Sequence, residues 1–189
     1  RMKLGMFDSD CEYDKIPYEV NDSKEHNLKS LDAARKSMVL LKNNGVLPLD
    51  KDNIKTIAVI GPNADNQVML EGNYSGKASR YVTILEGIQN AVNEDTRVYY
   101  TKGCHLYLDM VEDQTRDFFE EAVSMAERSD AVVLCLGLDS TIEGEEGDPH
   151  NPYAAGDKKD LNLPGLQQEL LEIVTKVGKP TILVLGTGS

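Results

Sequence analysis

Five carboxylates crowd the stretch GLDSTIEGEEGD: Asp139, Glu143, Glu145, Glu146 and Asp148. Carboxylates this close disfavour one another's ionised forms, which raises at least one pKa. A carboxyl group that stays protonated near neutral pH is what general acid catalysis requires. Gly144 and Gly147 let such a segment bend and bring its backbone near a ligand. Two other readings compete. A solvated acidic loop needs no chemistry, and a calcium loop would use the same oxygens, although the spacing departs from the EF-hand pattern.

A second stretch suits hydroxyl-rich ligands: GPNADNQ followed by GNYSG. There the Asn73 amide can donate and accept, and the Tyr74 ring can stack on the apolar face of a sugar. A turn-rich surface loop is the plain alternative. Other chemistries lack their signatures. GNYSGK is one residue short of a phosphate-cradling loop, no GxGxxG follows a strand, and neither Ser140 nor Ser189 sits in GxSxG. His26, His105 and His150 lie far apart without ligand spacing and read as structural or exposed. Cys11, Cys104 and Cys135 are odd in number and show no CxxC. Cys135, within AVVLCLG, reads as a buried free thiol. No metal site and no cofactor is indicated.

The elements that must carry these loops follow from hydrophobic period. A helix begins near Asp22, which can cap it, with Glu25 completing a capping box. Leu28, Leu31, Ala34, Met38 and Leu41 form its apolar stripe, and Asn43, Asn44 and Gly45 stop it. TIAVI (56–60), RVYY (97–100), AVVLCL (131–136) and TILVL (181–185) read as strands. Between them come a helix capped by Thr83, a helix near 112–128, and a helix over 165–177 that ends at Gly178. Alternating strands and amphipathic helices predict an α/β fold, a mainly parallel sheet flanked by helices as a three-layer sandwich. Continuous apolar strands imply burial on both faces. The last strand has no helix after it, so part of one sheet face is expected to lie uncovered. Residues 61–80 and 137–164 are long connections leaving strand ends, where ligands gather in open α/β sheets.

The chain has 189 residues, 40% hydrophobic and 28% charged, which suits one globular domain with a hydrophobic core. A formal charge of -12 repels phosphate backbones and argues against nucleic acid as a partner. No apolar run on the order of eighteen residues is present to span a membrane as a helix. Residues 1–22 read as a linker or arm, and 23–189 as the α/β domain. Arg1 is no initiator Met, and the chain stops just past a strand, so a cut from a longer polypeptide is expected. No targeting signal is legible, and the cysteine usage leans towards a reducing, cytoplasmic compartment.

Several segments occur in a telling order: RMKLGMFD, ARKSMVLLKNNGVLPL, IAVIGPNAD, GNYSG, SRYVTILEGI, GLDSTIEGEEGD, DLNLPGLQQELL and KPTILVLGTGS. Over almost the whole chain this set resembles the second domain of glycoside hydrolase family 3, the β-glucosidases and β-xylosidases. The resemblance implies retaining hydrolysis of terminal β-linked sugars from an oligosaccharide or glycoside. It also implies a partner: a preceding (β/α)8 barrel with the nucleophilic aspartate, of which only the exit near RMKLGMFD is present. The α/β domain lends the acid/base glutamate. Glu145 is the first choice, standing three residues before Asp148 as in related patterns. Glu143 is second and Glu146 third. Tyr74 corresponds by position to an aromatic on the aglycone side, with Asn73 beside it. Leu40, Leu41, Lys42 and Asn43 form a packing segment. The stretch PHNPYAAGDKK departs from the shorter family pattern, with Asp157 and Lys158 in place of the usual Asp-Arg pair. SRYVTILEGI leans towards xylosidase-type members. On this reading the domain alone is inactive; the alternative is a non-catalytic carbohydrate-binding or scaffold domain.

Overall fold

The computed structural model describes residues 1–72, 76–109, 112–142 and 160–187. The chain divides into two compact units, Arg1–Asn43 and Asn44–Ser189. In the first, three short 3-10 turns precede helix α1, Lys24–Ser37. Its cap is Ser23, whose hydroxyl accepts from the His26 N–H at 3.3 Å, and not Asp22. Asp22 adopts a left-handed conformation and takes the Asn27 amide instead. Glu25 therefore completes no capping box and pairs with Lys29 one turn on, at 3.1 Å. The helix also stops earlier than its apolar stripe suggests. Ser37 bonds back to the Ala34 carbonyl, and Met38 is extended, so Met38 and Leu41 lie beyond the helix.

The second unit holds the sheet: β1 Thr56–Ile60, β2 Arg97–Thr101, β3 Ala131–Gly137 and β4 Thr181–Gly186. The connecting helices are α2 Ile84–Ala91, α3 Glu112–Glu127 and α4 Gln167–Lys176. Strand order is β2-β1-β3-β4 and every pairing is parallel. This is the mainly parallel, helix-flanked sheet expected from the apolar runs.

Both sheet faces are covered, which is why the central strands are apolar throughout. On one face Ala58, Ile60, Val132, Leu134 and Leu136 pack with Ala122 and Ala126 of α3 and Leu170 and Val174 of α4. On the other, Ile57, Val59, Val133 and Cys135 pack with Leu85 of α2. Each fully buried Val, Leu or Ile side chain contributes about 1.5–3 kcal/mol. The edge strand differs: Leu183 and Leu185 each remain 40% exposed. At the amino ends of the strands, Asp130 joins β1 to β3. Its Oδ2 accepts from Lys55 N at 2.9 Å, Thr56 N at 2.8 Å and Thr56 Oγ1 at 2.9 Å.

Candidate functional site

The strand order places a topological switch between β1 and β3. From β1 the chain crosses to β2 on one side, and from β2 it crosses back to β3 on the other. In open α/β sheets such a switch leaves a crevice at the carboxyl ends of the strands. Here a cleft of about 240 Å³ opens at that place. Its walls come from the segments that follow β1 (Asp65, Asn66), β2 (Lys102, His105) and β3 (Asp139, Thr141).

These walls are built from hydrogen bonds between distant loops. After β1, the Asn63 N–H donates to the Cys135 carbonyl at 3.2 Å, and the Asn63 amide donates to the Leu138 carbonyl at 3.1 Å. Asn63 is buried, so these bonds offset the cost of hiding a polar side chain. The Asn66 amide donates to Asn63 Oδ1 at 3.2 Å and to Asp139 Oδ2 at 2.8 Å. The other Asp139 oxygen accepts from the Thr141 N–H at 2.8 Å and its hydroxyl at 2.5 Å. Asp139 thus shapes the first turn of the acidic segment rather than facing a substrate as a free acid. Leu138 and Ile142 then pack with Leu106, and Ile142 is fully buried.

Also lining the cleft, His105 Nδ1 accepts from the N–H groups of Tyr107 at 3.3 Å and Leu108 at 3.1 Å. That arrangement assigns its proton to Nε2. Burial and then the Lys102 charge hold its pKa below the ordinary value, while Asp139 pulls the other way. His105 is therefore a neutral imidazole near pH 7. The Tyr107 ring meets it edge-on, with centroids 4.9 Å apart. The first long loop is tied down as well: Asp65 accepts from the Thr83 hydroxyl at 2.9 Å, and Thr83 caps α2 as its position suggests.

Glu145, Glu143, Glu146, Tyr74 and Asn73 lie outside the described residues, as does His150. The structure brings together Asn63, Asn66 and Asp139, from the two loops singled out by length, and adds His105. No spacing in sequence could have found His105, because its neighbours come from other strands. Its only local signal is its place four residues past the end of β2. Among the described residues no group of three or more His, Cys, Asp or Glu side chains could hold a metal ion.

Residues 38–189 match the model of the glycosyl hydrolase family 3 C-terminal domain. The chain belongs to this family. Among relatives of this family 3 domain, a beta-xylosidase of Formosa agariphila is 40% identical over the whole chain, which covers 25% of that protein. The probable beta-D-xylosidase 7 of Arabidopsis thaliana is 39% identical, again over the whole chain and 23% of the relative. Among solved structures, a β-glucosidase from Erythrobacter marinus superposes with a TM-score of 0.77 at 32% identity, over 88% of this chain and 24% of that one. A family 3 exo-beta-xylosidase bound to a xylobiose aziridine probe gives 0.70 at 33% identity, over 84% of this chain and 18% of that one. The chain thus spans about a quarter of the length of the curated relatives it matches.

Proposed function

We propose that this family 3 domain serves a retaining β-glycosidase that removes terminal β-linked xylose or glucose, and that it supplies the acid/base, Glu145. The observation that carries the reading is the stem of the acidic segment. It leaves β3 at the switch crevice, is held by Asp139 and Asn66, and is anchored by the buried Ile142 immediately before Glu143. Glu145 follows Ile142 by three residues, a length of chain that reaches at most about 11 Å. The names of the relatives, β-xylosidases and a β-glucosidase, support the substrate class.

Retaining hydrolysis uses two carboxyl groups roughly 5–5.5 Å apart. In the first step the protonated Glu145 gives its proton to the glycosidic oxygen as the bond from the anomeric carbon breaks. An aspartate of a preceding barrel, with residues 1–22 as the connecting arm, forms the ester to that carbon. In the second step Glu145, now a carboxylate, takes a proton from water as the water oxygen displaces the ester. The domain holds half of this pair. Accordingly the 189-residue chain alone turns over no p-nitrophenyl xyloside or glucoside.

In the barrel-containing enzyme, Glu145→Ala lowers kcat/KM for poor leaving groups by roughly 10²–10⁴, and azide restores turnover of activated substrates. A near-normal Glu145→Ala beside a crippled, azide-rescued Glu143→Ala would move the role to Glu143. Turnover by the isolated chain would overthrow the two-domain mechanism.

A further inference from the structure

Gln167 opens α4 and is fully buried, yet its side chain makes no hydrogen bond within its own helix among those the structure shows. Its Oε1 accepts from the Gly137 N–H at 2.7 Å. Its Nε2 donates to the Gly137 carbonyl at 2.9 Å and to the Leu106 carbonyl at 2.7 Å. Both amide hydrogens are used.

The reason such an amide is needed lies in the sheet. Alternate residues of a strand bond to opposite neighbours. The Leu138 N–H reaches β4 through the Gly186 carbonyl, and the Cys135 carbonyl reaches the β1 side through Asn63. Gly137 therefore presents its N–H and carbonyl towards β1, but β1 ends at Ile60. The primary amide of Gln167 fills the vacancy, offering one acceptor and one donor as a peptide group would. Its remaining hydrogen ties in the connection after β2.

The two ends of the acidic connection are thereby joined to each other. Gly137 is the last residue of β3, and Gln167 is where the chain re-enters helix. Gly165 reinforces the closure: at φ +54° its missing side chain leaves room for the Tyr107 backbone, which would lie 2.8 Å from a Cβ. Pro164 beside it is fully buried.

We propose that Gln167 is a positioning residue for acid/base catalysis, fixing where the acidic segment leaves β3 and where the chain enters α4. This rests on the reading that the acid/base lies in that segment. A displacement of about 1 Å in a catalytic group can cost on the order of 10²-fold in rate. The loss should fall on the proton transfer and not on sugar binding.

The test uses the barrel-containing enzyme and aryl glycosides graded from 2,4-dinitrophenyl, which leaves without a proton, to phenyl, which needs one. Gln167→Met, close in length but without polar atoms, is expected to lower kcat/KM for the phenyl glycoside by roughly 10–100-fold and for the dinitrophenyl glycoside by less than about threefold. Gln167→Glu, which keeps the acceptor for Gly137, is expected to fall between wild type and Gln167→Met, and it carries the test if Gln167→Met does not fold. Equal losses on both glycosides, or no loss, in the folded variants overturn the proposal. Glu145→Ala and Glu143→Ala in the same series separate the two ideas. If either steepens the leaving-group dependence while the Gln167 variants do not, positioning alone fails. If neither does, the assignment of the acid/base to this segment fails.

Discussion

Replacing Gly137 by alanine would put a methyl carbon 2.0 Å from the Gly186 carbonyl oxygen and 2.8 Å from its carbonyl carbon. That is roughly 1.5 Å short of van der Waals contact. Both obstacles are backbone, so no side chain can swing aside. The residue also sits at φ +121°, outside the wells open to residues with a Cβ, which costs about 1–3 kcal/mol. Opening the tips of β3 and β4 to admit the methyl would break the 2.7 Å bond from Leu138 N to Gly186 O, worth about 1 kcal/mol. It would also disturb the amide of Gln167, whose buried partners cost about 1–3 kcal/mol when left unpaired. Together these amount to roughly 3–7 kcal/mol, a large part of the 5–15 kcal/mol typical of a domain. In urea, with a slope of about 1–3 kcal/mol per molar, the midpoint followed by far-ultraviolet circular dichroism should fall by about 2 M. Gly87→Ala serves as the opposite control. Gly87 lies inside α2 with its nearest neighbour, Val82 Cγ1, at 3.9 Å, so alanine should stabilise by about 0.5–1 kcal/mol. A Gly137→Ala unfolding free energy within about 1 kcal/mol of wild type would refute the packing argument for the β3–β4 tip.

Two further outcomes follow from other titrating groups. The N–H of Lys55, then the hydroxyl and N–H of Thr56, hold the Asp130 carboxyl below its ordinary range. A lowered folded-state pKa contributes stability that is present above the unfolded value near 4 and lost as pH falls through the folded value. The stability gap between wild type and Asp130→Asn should thus be widest near pH 6–7 and close towards pH 3; a gap that is flat with pH would contradict this. Burial pushes the Cys104 and Cys135 thiols up to about 12, so neither should react with a thiol reagent at pH 8 in the native state, whereas the partly exposed Cys11 should. Rapid native labelling of two or more thiols would disprove their burial.

Much of the fold is legible along the chain. TIAVI and AVVLCL are apolar without alternation because helices cover both of their faces, and they became the two central strands. Thr83 caps α2 because its hydroxyl, three residues ahead of Glu86, meets an N–H with no partner in the helix. The first helix is less legible in the sequence. Ser23 and Asp22 are both competent caps, and the backbone turn at Asp22 selected Ser23. Beyond Ser37 the apolar residues keep a helical spacing, but period alone does not hold a helix once Ser37 has bonded back to the Ala34 carbonyl. In the candidate site, loop length points to the segments after β1 and β3, while the histidine beside them is marked only by its place just past β2.

The order of elements, the burial of the central strands and the family resemblance are properties of residues near one another in sequence, and the amino-acid string by itself determined them. The strand order β2-β1-β3-β4, and with it a crevice between β1 and β3, came only with tertiary structure. So did the roles of Asn63, which bonds Leu138 75 positions away, and of Gln167, which bonds Leu106 61 positions away. Hydrophobic period reports how deeply an element is buried and says nothing of which neighbour it meets. Buried amides find their partners only when the chain has closed around them.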